Sequence, residues 1–210
     1  FSGLCMGVKL REQGEEDFVL LERAGDVGGT WRENTYPGLA CDVPAHAYTG
    51  AQAGVLTDSR YGRASIVGVL PERIARAIQM GAVAIVAGFQ GVSQTSKDIT
   101  TLGRGASDTT AVALAGALNA DYCEIYTDVD GVYTADPRKD ENAKRFETLS
   151  YNRALVDNLA VMDASALSMA RDNKKRIRVF GLEEPGNVTR ALVGDEIGTL
   201  VSTAESRVAE

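Results

Sequence analysis

Short apolar runs closed by glycine or by polar turns alternate with stretches of helical periodicity, which limits this chain to a layered α/β fold. Phe18–Glu22 (FVLLE), Ala82–Ala87 (AVAIVA), Cys123–Thr127 and Ile177–Phe180 are too short for core helices and read as buried strands. Ser65–Val69 and Thr199–Val201 extend the set. Helix patterns lie between them. Phe1–Gln13 ends at Gly14, and Pro71–Met80 starts on Pro and keeps Ile74, Ala77 and Ile78 on one face. Ser107–Asn119 is alanine-rich, and Tyr151–Asn158, Ala164–Asn173 and Asn187–Val193 follow. Gly25–Pro44 and Gly88–Gly103 read as loops, and a polar stretch runs from the end of the Cys123–Thr127 strand to about Ser150. The expected architecture is three-layer α/β/α with a mostly parallel sheet.

Composition narrows the function classes. The chain has 210 residues, 44% apolar and 24% charged, with a formal charge of −7. That acidity argues against a nucleic-acid partner, which would require a basic face. It does not argue against nucleotides, whose phosphates can be held by a local cluster of backbone N–H groups. No apolar run approaches the roughly 20 residues of a membrane span, and no secretory signal pattern is present. Cys5, Cys41 and Cys123 lack metal-ligand spacing and read as reduced thiols of a cytoplasmic protein. His46, the single histidine, sits beside Pro44 in a turn-like stretch and reads as a surface residue. No metal site is expected, and association into a homo-oligomer is left open.

Two segments have the residue types of phosphate chemistry. In TTLGRGASDTT, residues 100–110, Gly103 and Gly105 allow a sharp turn and close backbone approach. Ser107 and Asp108 fall where a helix N-cap belongs, and free N–H groups there attract an anion. Arg104 offers a fork for a carboxylate or phosphate. The residues alone fit either anion binding or a plain capped turn. In TDVDGVYTADPR, residues 127–138, the stretch follows a strand and so lies where open α/β sheets place ligands. Thr127, Asp128 and Asp130 offer acceptors, Tyr133 a stacking face and Arg138 a cation for phosphate. A solvated acidic turn is the alternative.

Residues 49–138, from TGAQAGVLTDSRYGRASI through AGFQGVSQTSKDITTLGRGASDTT to YTDVDGVYTADPR, closely resemble aspartate kinase, which phosphorylates the side-chain carboxylate of aspartate. The resemblance implies that Arg104, Gly105 and Ser107 bind the amino-acid substrate, with Asp108 as the catalytic residue of the same turn. It implies that Thr127, Asp128, Tyr133, Asp136 and Arg138 line the ATP site, with Mg²⁺ accompanying the nucleotide. Ala106 stands where that family usually has a second Gly, and a positive φ there would strain the alanine. From about residue 136 to 201, DPRKDENAKRFETLSY, NLAVMDASALSMARDN, IRVFGLEEPGN and GDEIGTLV resemble bacterial uridylate kinase, of the same amino-acid-kinase superfamily. That resemblance makes UMP the alternative phosphate acceptor and assigns the DNLAVMDASAL region to core packing.

Residues 1–47 resemble the FAD-binding N-terminus of flavin monooxygenases of the Baeyer–Villiger type. Gly3 matches the last glycine of G-x-G-x-x-G, Glu22 the ribose-binding acid, and Gly28, Gly29, Thr30, Trp31 and Asp42 the GGTW and CD motifs. The opening strand and first two glycines of that motif have no counterpart, so FAD is not expected to bind tightly. The chain therefore divides at 1–47 and 48–210, a truncated FAD-binding-like helix and strand followed by an amino-acid-kinase-like nucleotide-binding domain. The strand Phe18–Glu22 is expected to share a sheet with Ala82–Ala87. Both kinase families carry a Lys-Gly-Gly loop that neutralises charge at the reacting phosphates, and no such triplet occurs here. Impaired aspartate-kinase-like transfer is the leading expectation. UMP phosphorylation, a flavin monooxygenase fragment and a non-catalytic chimeric scaffold are the alternatives.

Overall fold

In a computed structural model of the chain, described for residues 19–22, 44–103, 106–159, 162–182 and 185–209, the backbone forms two compact units, Phe1–Leu118 and Asn119–Glu210. The helix expected at Phe1–Gln13 lies outside the described residues.

The apolar run VAIVA becomes the middle of a three-stranded parallel sheet in the first unit. Strand β5 (Val83–Ala87) pairs with β1 (Val19–Glu22) on one side and β2 (Ala45–Tyr48) on the other. The register runs from Val19 opposite Ala84 to Glu22 opposite Ala87. The strand from the FAD-binding-like segment thus shares a sheet with the aspartate-kinase-like strand, as the sequence predicts. Helix α1 (Glu72–Gln79) buries Ile74, Ala77 and Ile78, the face set by the spacing of its apolar residues. They pack with Tyr48, Ala53, Ala82, Ala84, Val86 and Leu114 in one apolar cluster. His46 is an exposed residue of β2, not of a turn.

A second sheet of this unit has the order β4-β3-β6-β7. It consists of β3 (Val55–Thr57), β4 (Ile66–Val69), β6 (Gln90–Ser93) and β7 (Ile99–Thr101). The expected loop at Gly88–Gly103 is therefore a β6–β7 hairpin, which turns through Lys97 at φ 65°. Its strands escaped the sequence reading because QGVS and ITT are short and largely polar. Gly91 is needed in β6, since a Cβ there would lie 2.7 Å from both the Thr57 Cγ2 and the Val55 carbonyl oxygen.

The second unit holds a five-stranded mixed sheet, order β12-β9-β11-β10-β8. Its strands are β8 (Tyr122–Thr127), β9 (Phe146–Ser150), β10 (Arg176–Gly181), β11 (Thr199–Ser202) and β12 (Arg207–Val208). Strand β8 comes from the aspartate-kinase-like stretch and β10 from the uridylate-kinase-like stretch. They pair in parallel over six positions, from Tyr122 opposite Arg176 to Thr127 opposite Gly181. Strand β9 ends the stretch read as polar. Its Phe146 and Leu149 are buried while Glu147 and Thr148 are not, a partial alternation that the sequence shows only weakly. Helix α3 (Tyr151–Val156) is capped by Ser150, whose Oγ accepts from the Arg153 N–H at 3.2 Å. Helix α4 (Ala164–Asp172) buries Ala166, Leu167 and Ala170, so within the DNLAVMDASAL region only Ala166 and Leu167 among the described residues take the expected core position. Helix α5 (Asn187–Leu192) precedes β11. Parallel pairing and α/β layering hold as expected, with the described strands divided among three sheets.

Candidate functional site

The first candidate segment is the start of helix α2 (Ala106–Ala117). Ser107 and Asp108 occupy its first turn, where the positive end of the helix dipole favours an anion. Ala106 is helical and buried, so the backbone does not demand the positive φ that would strain it. Arg104 and Gly105 lie outside the described residues. Gly88 brings the end of β5 against this turn. A Cβ at Gly88 would sit 3.1 Å from the Ser107 Cα and 3.4 Å from its Oγ. The next residue, Phe89, adopts φ 74° with its ring partly exposed. Its N–H donates to the Thr110 Oγ1 at 3.3 Å, and its carbonyl accepts from the Leu102 N–H at 2.9 Å. The Thr110 hydroxyl donates in turn to the Ala106 carbonyl at 2.9 Å. A left-handed non-glycine residue beside a helix N-terminus is a feature that functional sites concentrate. Phe89 was not singled out from the sequence, since a φ of this kind leaves no local pattern.

The second segment leaves the end of β8, in the second unit. Thr127 closes the strand, its Oγ1 donating to the Asp128 Oδ1 at 3.1 Å and its carbonyl accepting from the Leu182 N–H. Arg138 returns to Asp128, with Nη2 3.6 Å from Oδ2. The TD pair and the DPR motif therefore converge at the C-terminal end of a parallel strand, the position where such sheets bind ligands. Both side chains of this ion pair are about three-quarters exposed (76% and 73%), so the contact is weak and available to a ligand. The Asp136 carboxylate accepts from the Arg138 N–H at 3.0 Å and pairs with Lys139 at 3.2 Å. The Arg138 N–H, and secondarily Lys139, hold its carboxyl below the usual range. Tyr133 donates to the Asp130 Oδ1 at 2.7 Å, a bond that keeps the phenol protonated to higher pH than usual.

What fixes this loop is residues the sequence did not advertise. Thr199 is fully buried, and its Oγ1 accepts from the Val132 N–H at 2.9 Å and donates to the Phe146 carbonyl at 2.6 Å. Arg145 donates to the Gly198 carbonyl at 2.6 Å. These partners lie more than 50 residues apart, beyond any local motif. Of the flavin-like residues, Glu22 ends β1, while Gly3, Gly28, Gly29, Thr30, Trp31 and Asp42 lie outside the described residues. Among the described residues no group of three His, Cys, Asp or Glu side chains could hold a metal ion.

The sheet face behind the second segment carries its own charge network. Glu124 accepts from the Tyr126 hydroxyl at 2.9 Å and lies 3.7 Å from Arg178, which donates to the Ala191 carbonyl. Tyr122 packs beneath Arg176 and Arg178, with guanidinium carbons 4.0 and 4.9 Å from its ring centre. Burial raises the Glu124 carboxyl, and the Tyr126 and Arg178 contacts only partly offset it. A carboxyl raised on folding favours the native state while protonated, and that advantage is lost as pH climbs from the unfolded value near 4.5 through the higher folded one. Glu124→Gln should therefore lose less stability than the wild type over that rise. Urea midpoints of both proteins from pH 4.5 to neutrality check it, and parallel curves would refute it.

Residues 37–181 match the model of the Amino acid kinase family. The chain belongs to the amino acid kinase family. Residues 1–58 match a second model, the NAD(P)-binding Rossmann-like domain. Within the kinase family the chain is 49% identical over 156 residues to the aspartokinase of Corynebacterium glutamicum, covering 72% of this chain and 37% of that protein. It is 87% identical over 82 residues to the uridylate kinase of Bifidobacterium adolescentis, covering 39% of this chain and 33% of that protein. The chain thus spans between a third and two fifths of these relatives. Among solved structures it resembles E. coli aspartokinase III in complex with aspartate and ADP (TM-score 0.65, 30% identity, 78% of this chain and 36% of that one). It also resembles the UMP kinase of Bacillus anthracis (TM-score 0.61, 26% identity, 81% and 62%). This amino acid kinase family member is a composite, joining kinase segments of two kinds to a Rossmann-like start. Among the described residues no helix is long and apolar enough to cross a membrane.

Proposed function

We propose that the chain carries the acceptor and nucleotide elements of an ATP-dependent phosphotransferase of the aspartate-kinase kind, transferring the terminal phosphoryl of ATP to the aspartate side-chain carboxylate. The observation that carries this reading is the return of Arg138 to Asp128 at the end of β8, which gathers the TD and DPR motifs at one strand terminus. There Thr127 and Asp128 offer acceptors to the ribose, Tyr133 a face to the base and Arg138 a charge to the phosphates. In the other unit Ser107, with Arg104 and Gly105, binds the acceptor amino acid, and Asp108 acts in transfer. Mg²⁺ would accompany the triphosphate, where it neutralises phosphate charge. Arg138 and Mg²⁺ share the neutralisation of the phosphate charge.

The 82-residue likeness to uridylate kinase supports UMP as the second acceptor. An ADP-release assay with MgATP and either aspartate or UMP separates the two. Aspartate-dependent release with none from UMP is expected. Release with UMP alone would transfer the assignment to nucleoside monophosphates, and release with neither would remove the transferase reading.

A further inference from the structure

Arg145 ties the segment between β8 and β9 to the turn before β11. Arg145 donates through Nη1 to the Gly198 carbonyl at 2.6 Å, and its Nε lies 3.6 Å from the Asp130 Oδ2. Its aliphatic stem lies against Gly131, where a Cβ would sit 2.9 Å from the Arg145 Cδ and 3.2 Å from its Cγ. The backbones of Tyr133 and Arg145 form an isolated antiparallel bridge. The other carboxylate oxygen of Asp130 accepts the Tyr133 hydroxyl at 2.7 Å. A continuous path therefore runs from the Gly198 carbonyl through Arg145 and Asp130 to the Tyr133 ring.

We propose that Arg145 is a positioning residue, which sets the orientation of the Tyr133 ring through Asp130 and so fixes the nucleotide-stacking face. The functional half of this statement rests on the assignment of Tyr133 to the nucleotide given above. The burial order fits a relay anchored from below. The Arg145 side chain is 30% exposed against 64% for Asp130, so the better buried cation holds the more exposed carboxylate. The phenol hydroxyl is committed to Asp130, which leaves the ring face and not the hydroxyl as the group offered to a ligand. Thr199 holds the backbone of the same loop through the Val132 N–H, so the loop's course does not depend on Arg145 alone.

NMR of the 210-residue chain with its seven tyrosines ring-labelled tests this, the Tyr133 signal being assigned with Tyr133→Phe. Arg145→Met should move the Tyr133 ring signal and leave the other six in place, with Arg145→Lys restoring it in part. Asp130→Asn, which leaves the Arg145 bond to Gly198 intact, should move the same signal and serves if Arg145→Met folds poorly. In parallel, MgATP affinity should fall about 10-fold in Arg145→Met and by a similar factor in Tyr133→Phe. The double variant should be no weaker than either alone, because both break one path. An unmoved Tyr133 signal in both Arg145→Met and Asp130→Asn would overturn the relay, as would additive losses in the double variant. A signal moved in both variants, with no MgATP affinity in the wild-type chain, would uphold the relay and instead sink the nucleotide assignment.

Discussion

Gly198→Ala is expected to destabilise the second unit by about 4 kcal/mol, a large share of the roughly 5–15 kcal/mol usual for a domain. Gly198 has φ 67°, in the left-handed region. A Cβ there would lie 2.1 Å from the Val179 carbonyl oxygen and 2.7 Å from the Phe180 Cβ. Neither neighbour can withdraw. Val179 and Phe180 belong to β10, which is held between β8 and β11, and both residues are buried. The same glycine's carbonyl receives Arg145, so a shift of this corner would also release the β8–β9 loop. Urea denaturation followed by far-UV circular dichroism measures the loss. A midpoint unchanged from wild type would show that this corner has room the geometry denies it.

Asp108→Asn is expected to have the largest effect on activity, lowering kcat for aspartate phosphorylation about 100-fold. The exchange keeps the size and shape of a side chain in the first turn of α2, so the loss of transfer should exceed any loss of stability. The buried face of α2, built from Thr109, Thr110, Val112 and Leu114, is untouched. The ADP-release rate at saturating MgATP and aspartate, read beside a thermal melt, separates the two effects. A fall in kcat matched by an equal fall in melting stability would place Asp108 in structure and not in transfer.

The sequence revealed strands where apolar residues run together and concealed them where they do not. VAIVA, YCEIYT and RIRVFG are strands because their length and side chains leave no better way to bury them. The pairing of β1 with β5 was legible because two parallel-type strands, each flanked by helix patterns, find partners most readily in one sheet. The β6–β7 hairpin was not legible, since its residues are stabilised by partners in β3 and not by their own periodicity. The site shows the same division. Thr127, Asp128 and Arg138 carry a spacing that can be read, and the structure brings them together. Phe89, Arg145 and Thr199 act through a backbone angle or through contacts made far along the chain, which no window of sequence contains. The join between the two kinase likenesses left no mark on the sheet, because β8 and β10 come from one superfamily and keep a full parallel register.

The central claim is that the end of β8 and the loop after it bind an adenine nucleotide. Isothermal titration of MgATP into the full-length chain tests it directly, with Arg138→Ala as the comparison. Saturable binding of one MgATP per chain, weakened about 10-fold in Arg138→Ala by loss of the phosphate-facing charge, is the predicted result. Absence of binding, or equal affinity in the two proteins, would contradict it.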